Sequence, residues 1–166
     1  INSKNIIEII ENINDEDSKI ALSIKPILPK IEKLISKILE KVKSGGRLFY
    51  IGCGTSGRLG VLDASECPPT FSTSPDLIQG IIAGGKSALY RSVEGAEDIE
   101  LEGKKVIENN KINSSDIIVG ISASGSAPFV LGALKEGSKN YIETALITFN
   151  PVAKKTSINH LISILV

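Results

Sequence analysis

The chain has 166 residues, 42% of them hydrophobic, which is enough apolar matter to build a core and excludes a disordered polypeptide. Lys+Arg and Asp+Glu both total 19 and no basic cluster stands out, so neither nucleic acid nor an anionic membrane surface is expected as a partner. Cys53 and Cys67 lack metal-ligand spacing, and no apolar run approaches the roughly 20 residues that span a bilayer, so a soluble, cytoplasmic protein with reduced thiols and no metal is expected.

In chain order, Ile6, Ile7, Ile9, Ile10 and Ile13 predict a helix over residues 4–13, ended by Asn14-Asp15-Glu16-Asp17. A long amphipathic helix follows, with apolar positions recurring from Ile24 to Val42, Pro26 and Pro29 at its start or at a kink, and Gly45-Gly46 as its stop. Residues 1–44 thus read as a helical extension that packs on the next domain or on a second subunit. From residue 45 to 166 the pattern alternates: strand 47–52, helix 58–66, strand 77–83, helix 96–109, strand 116–121, helix 128–138, then strands 142–149 and 161–166. Continuous apolar strands separated by helices predict an α/β fold, a doubly wound five-stranded parallel sheet with helices on both faces. If the strand order is 2-1-3-4-5, the first and third strands adjoin and a crevice opens between their connections. There is no methionine and the chain finishes on a strand-like run, so it is expected to be incomplete at its C-terminus.

Two turns carry the functional signal. Gly52-Cys53-Gly54-Thr55-Ser56-Gly57-Arg58 follows the apolar run Leu48-Phe49-Tyr50-Ile51 and leads into a helix. Its glycines let the backbone approach an oxyanion, and Thr55 and Ser56 add hydroxyls to the free N–H groups of a helix N-terminus. The motif differs from the nucleotide-binding G-x-x-x-x-G-K-[ST] and from the dinucleotide G-x-G-x-x-G. Ser122-Ala123-Ser124-Gly125-Ser126 repeats the arrangement after the run from Asp116 to Ile121. Any one of its serines, taken alone, reads as a helix cap. The strand order above would bring the two turns to one crevice.

The segment from Gly54 to Phe71 resembles the signature of N-acetylmuramic acid 6-phosphate etherases, members of the sugar isomerase (SIS) superfamily. The likeness extends through Ile82-Ala83-Gly84-Gly85, Glu94-Gly95-Ala96-Glu97-Asp98, Val119 to Ser126 and Phe149-Asn150-Pro151. The resemblance implies an SIS-like fold and a cofactor-independent lyase that splits the lactyl ether of the phosphorylated sugar by elimination and hydration. It implies a homodimer whose sites draw on both subunits, and it assigns acid/base chemistry to Glu66 and Glu97. Substrate contacts are carried over to Gly54, Thr55, Ser56, Gly57, Glu94, Ser122, Ser124, Gly125 and Ser126. Cys67 precedes Pro68, which disfavours helix there and leaves Glu66 at a helix C-terminus, where the dipole opposes ionisation; Glu97 falls in the first turn of the next helix, where the dipole favours the carboxylate. Glu66 is therefore expected as the proton donor and Glu97 as the base.

Arg58 reads equally as a phosphate ligand or as half of a surface salt bridge, His160 as a loop or core-edge residue, and Cys67 as catalytically idle. Ser126-Ala127-Pro128-Phe129-Val130 departs from the etherase pattern and resembles the glucokinase regulatory protein branch. That departure raises a non-catalytic sugar-phosphate sensor as the alternative; an aldose–ketose isomerase would use similar turns but leaves the Ser65-Glu66-Cys67-Pro68-Pro69 motif without a role.

Overall fold

The N-terminal helix α1 spans Ile6–Ile24 and opens with a reciprocal cap: Glu8 N donates to Asn5 Oδ1 (3.0 Å) and Asn5 N donates to Glu8 Oε2 (2.7 Å). The break expected at Asn14–Asp17 is absent, because Asn and Asp inside a helix cost only tenths of a kcal/mol each, roughly, and neither glycine nor proline intervenes before Pro26. A 3-10 turn over Lys25–Ile27 takes up the first proline, and α2 (Leu28–Lys43) starts with Pro29 in its first turn. The structure, a computed structural model, describes residues 4–150 and 158–164.

Strands β1 (Leu48–Gly52), β2 (Ile78–Ile82), β3 (Ile117–Ile121), β4 (Glu143–Thr148) and β5 (His160–Ser163) form one parallel sheet in the order β2-β1-β3-β4-β5. This is the expected doubly wound arrangement. Helices α3 (Gly54–Phe71), α4 (Glu100–Asn109) and α5 (Pro128–Lys139) complete it. His160 opens β5 with Nε2 3.0 Å from Glu143 Oε1, a strand position at the core edge rather than a loop. The end of the last expected strand, residues 165–166, lies outside the described residues, as does Pro151 of the Phe149-Asn150-Pro151 motif.

Alternation within each strand divides the core. Phe49, Ile51, Ile118 and Leu146 meet α4 and α5 through Val106, Phe129, Val130 and Leu134. On the opposite face Leu48, Ile117, Val119 and Ala145 meet Leu34 of α2, while α3 lies against β1 and β2. Each such buried side chain contributes roughly 1.5–3 kcal/mol, so the sheet centre is the stable part of the molecule. No residue of α1 is buried, and Ile6, Ile10 and Ile13 are exposed. No helix among the described residues is long and apolar enough to cross a membrane.

Candidate functional site

At the carboxyl end of β1 the backbone stays extended at Cys53, turns left-handed at Gly54 (φ +51°) and enters α3. The first helical bond runs from Gly57 N to the Cys53 carbonyl (3.1 Å), so the N–H groups of Gly54, Thr55 and Ser56 have no partner among the described residues. Gly57 is required by packing: a Cβ there would stand 2.6 Å from Ile82 Cγ1 and 2.8 Å from the Gly52 carbonyl oxygen. With no side chain in the way, the first turn of α3 rests directly on the ends of β1 and β2, its donors facing outward beyond the sheet.

The second turn starts beside the first, since Gly52 and Ile121 are register partners in β1 and β3. Ser122 is buried and its N–H donates to the Ile147 carbonyl (3.0 Å). Gly125 is left-handed (φ +66°) and returns its N–H to the Ser122 carbonyl (2.9 Å). Ser126 Oγ donates to Ser124 Oγ (2.8 Å), which pairs the two exposed hydroxyls. None of these serines caps α5, whose N-cap is Ala127 with no side-chain bond. The ordinary capping role is therefore not what the serines do.

A cleft of about 190 Å³ opens at the end of β1 towards β2, between Gly54 and Arg58 of α3 and the segment from Ser92 to Glu97. Glu94 and Glu97 belong to its wall, and Ser92 Oγ donates to Glu94 Oε1 (2.7 Å). Cys53 reports how near the carboxylates are: burial first, then the charges of Glu97 and Asp98, push its thiol up to about 11. Arg58 lines the cleft and has no salt-bridge partner among the described residues. It donates to the backbone carbonyls of Leu89 (Nε, 3.3 Å) and Arg91 (Nη2, 3.5 Å), tying α3 to the chain that leads into Glu94.

Both local arguments about the glutamates fail. Helix α3 does not stop at Glu66 but runs through Pro68 and Pro69 to Phe71, where left-handed Ser72 donates its N–H to the Pro68 carbonyl (2.9 Å). Packing of Ala64 and Cys67 on the sheet overrides the preference of a residue before proline. Glu97 sits in a separate 3-10 turn, Ala96–Asp98, and α4 begins only at Glu100. Neither residue is where a helix dipole would sort acid from base. The two are also not together. Gly57, Gly60, Ala64 and Cys67 face the sheet, whereas Glu66 is exposed on the outer side of α3 with Leu59 (56% exposed) and Leu62 (57%), away from the cleft that holds Glu97.

Gly54, Glu94 and Glu97 are thus brought to one cleft; Thr55, Ser56 and the buried Gly57 continue the first turn of α3 without lining it, and Ser122, Ser124, Gly125 and Ser126 form the turn after β3, on the other side of β1. Sequence reasoning missed Thr148, whose hydroxyl donates to the Ala123 carbonyl (3.1 Å), and missed the bond from Asn150 Nδ2 to the Ser124 carbonyl (2.8 Å). The available signal was a threonine directly after the apolar run Ala145-Leu146-Ile147 at the carboxyl end of a strand. No group of three or more His, Cys, Asp or Glu side chains among the described residues is arranged to hold a metal ion. The site offers unpaired N–H groups and hydroxyls for an oxyanion and a carboxylate for proton transfer.

A family model described as the glucokinase regulatory protein N-terminal SIS domain matches residues 30–138. Among curated proteins, the chain is 52% identical over 142 residues to an N-acetylmuramic acid 6-phosphate etherase of Clostridium acetobutylicum, covering 86% of this chain and 47% of that protein. It is 49% identical over 151 residues to one of Bacteroides fragilis, covering 91% and 54%. The chain therefore spans about half the length of the curated relatives it matches. Among solved structures it is similar to phosphoheptose isomerases of Neisseria gonorrhoeae (TM-score 0.72, 15% identity, 95% of this chain and 84% of that one) and Francisella tularensis (0.72, 15%, 98% and 87%), a likeness of fold alone.

Proposed function

Because the chain belongs to the SIS-domain family represented by the glucokinase regulatory protein N-terminal SIS domain, and its curated relatives of about 50% identity carry the etherase name, we propose that the protein containing it is an N-acetylmuramic acid 6-phosphate etherase. In this reading it is a cytoplasmic carbon–oxygen lyase that works without a cofactor in cell-wall sugar recycling. Residues 45–166 form the sugar-phosphate unit and residues 1–44 its helical extension. The observation that carries the reading is the position of Glu97 in a cleft lined by Gly54, the residue at which the first turn of α3 begins its run of N–H groups without a partner among the described residues.

The phosphate is held by those N–H groups and by the hydroxyls of Ser56, Ser122, Ser124 and Ser126, which fixes the open-chain sugar along the cleft. Glu97 takes the C2 proton, acidic because it lies beside the C1 aldehyde. The electron pair left on C2 forms the C2–C3 double bond as the C3–O bond breaks, and D-lactate departs with a proton from a carboxylic acid. Water then adds at C3 and a proton returns to C2, giving N-acetylglucosamine 6-phosphate. Glu66 is the donor, supplied from the partner subunit of a homodimer. The support for that arrangement is its exposure beside Leu59 and Leu62, a face of α3 that is apolar and uncovered in the single chain.

The decisive experiment incubates the full-length protein with N-acetylmuramic acid 6-phosphate in deuterated water. Release of D-lactate with deuterium at C2 of the product is the expected result, and its absence overturns the reading. A non-catalytic sensor draws its support from Ser126-Ala127-Pro128-Phe129; it predicts binding of the phosphosugar with no lactate. The etherase names of the curated relatives weigh against it.

A further inference from the structure

Thr148 is fully buried at the carboxyl end of β4, and Asn150 follows it by two residues. Thr148 Oγ1 donates to the Ala123 carbonyl (3.1 Å) and accepts from Asn150 N (3.1 Å). Phe149 N donates to the same Ala123 carbonyl (3.0 Å), and Asn150 Nδ2 donates to the Ser124 carbonyl (2.8 Å). With Gly125 N on the Ser122 carbonyl, every carbonyl from Ser122 to Ser124 accepts a hydrogen bond. The N–H groups of Ala123 and Ser124, by contrast, have no partner among the described residues.

This division matters for an anion. A peptide carbonyl repels phosphate and an N–H attracts it, so a turn whose carbonyls are held elsewhere presents its N–H groups to phosphate more favourably. We infer that Thr148 and Asn150 are positioning residues that sort the polarity of the Ser122–Ser126 turn, drawing its carbonyls to the end of β4 and leaving its donors for the phosphate of the sugar. The inference rests on the reading that a sugar phosphate binds at this turn. Ser163 Oγ donates to the Asn150 carbonyl (3.2 Å) and anchors the brace to β5, so three strands hold one turn.

The test measures calorimetric affinity of the full-length protein for N-acetylglucosamine 6-phosphate alongside the Tm of each variant. Thr148→Val keeps the buried volume but removes the hydroxyl, and its affinity is expected to fall roughly fivefold or more, the value of one net hydrogen bond. Thr148→Ser loses a buried methyl and is expected to lower Tm yet bind like wild type. Asn150→Asp cannot donate to the Ser124 carbonyl and adds a negative charge, so a loss of roughly tenfold or more is expected. In turnover these losses should fall on KM, with kcat little changed. Affinity that simply follows Tm across the three variants, or wild-type affinity in Thr148→Val and Asn150→Asp, overturns the inference and leaves the site's reading intact. Wild-type protein that binds no phosphosugar overturns that reading and this inference with it.

Discussion

The two edges of the one sheet are built on opposite principles. At the amino edge Asp116 is almost sealed from solvent, and each carboxylate oxygen accepts two hydrogen bonds: Oδ1 from Arg47 N (2.9 Å) and Nε (3.1 Å), Oδ2 from Arg47 Nη2 (2.8 Å) and Asn113 N (3.0 Å). The guanidinium also stacks over the Phe49 ring, 4.8 Å from its centroid. At the carboxyl edge the N–H groups of Gly54, Thr55, Ser56, Ala123 and Ser124 stand without partners among the described residues. A parallel sheet sends every strand the same way, so one edge can be closed for stability while the other keeps unsatisfied donors for a ligand. Polar groups at the first edge are spent on each other, whereas at the second the turn carbonyls are bonded and the turn N–H groups stay open.

The largest effect expected from the carboxyl edge is on turnover. Glu97→Gln should cost about 10²–10⁴-fold in D-lactate release with the urea midpoint unchanged; activity near wild type would remove Glu97 from the chemistry. At the amino edge the converse holds. Asp116→Ala should lower the unfolding free energy by about 3 kcal/mol, read from urea denaturation, while phosphosugar affinity of the folded fraction stays as in wild type. An Asp116→Ala protein that loses affinity but not stability would break the comparison.

Acid sharpens the same contrast. Burial raises the Asp116 carboxyl, but hydrogen bonds from the Arg47 side chain and from the Asn113 and Arg47 backbone, with the Arg47 charge, outweigh it and hold the group below its usual 3.8. A carboxyl depressed in the folded state stabilises above its unfolded value, and that contribution is lost as pH falls through the folded one. Asp116→Asn should therefore flatten the loss of stability below about pH 4, measured by urea titration. An unchanged acid limb would show that other carboxyls carry it.

Gly57→Ala sits where the edges' roles meet. Its Cβ would press on Ile82 and on the Gly52 carbonyl, so about 1–3 kcal/mol of stability should be lost together with phosphosugar affinity as α3 shifts off the sheet. The smallest expected effect is at Cys53: because the Glu97 charge helps to hold its thiol high, Glu97→Gln should speed alkylation at pH 8, roughly a few-fold. An unaltered rate would separate Glu97 from the end of β1.

Much of this was legible in the residues. The alternation from Arg47 onward yields the five strands with their boundaries within one or two residues apart from the last, and both turns stand at the carboxyl ends of β1 and β3. Periodicity records which side of a strand or helix is buried, and small residues record where backbone must bend. What misled was local inference at helix ends. Cys67-Pro68-Pro69 reads as a stop, yet Ala64 and Cys67 packed on the sheet carry α3 past it; Asn14–Asp17 reads as a break, yet α1 has no competing structure to enter there. Arg58 has no sequence signature for its bonds to Leu89 and Arg91, because backbone carbonyls carry no residue code.

By itself the sequence determined the α/β class, the two glycine- and serine-bearing turns and the residue types available to them, since each depends on neighbours a few positions apart. The separation of Glu66 from Glu97, the cleft between α3 and the Ser92–Glu97 segment, and the hold of Thr148 and Asn150 on the serine turn were decided only in three dimensions. They depend on strand order and on the rotation of a helix about its axis, and contacts made across 25 or more residues, as between Thr148 and Ala123, leave no periodic trace in the chain.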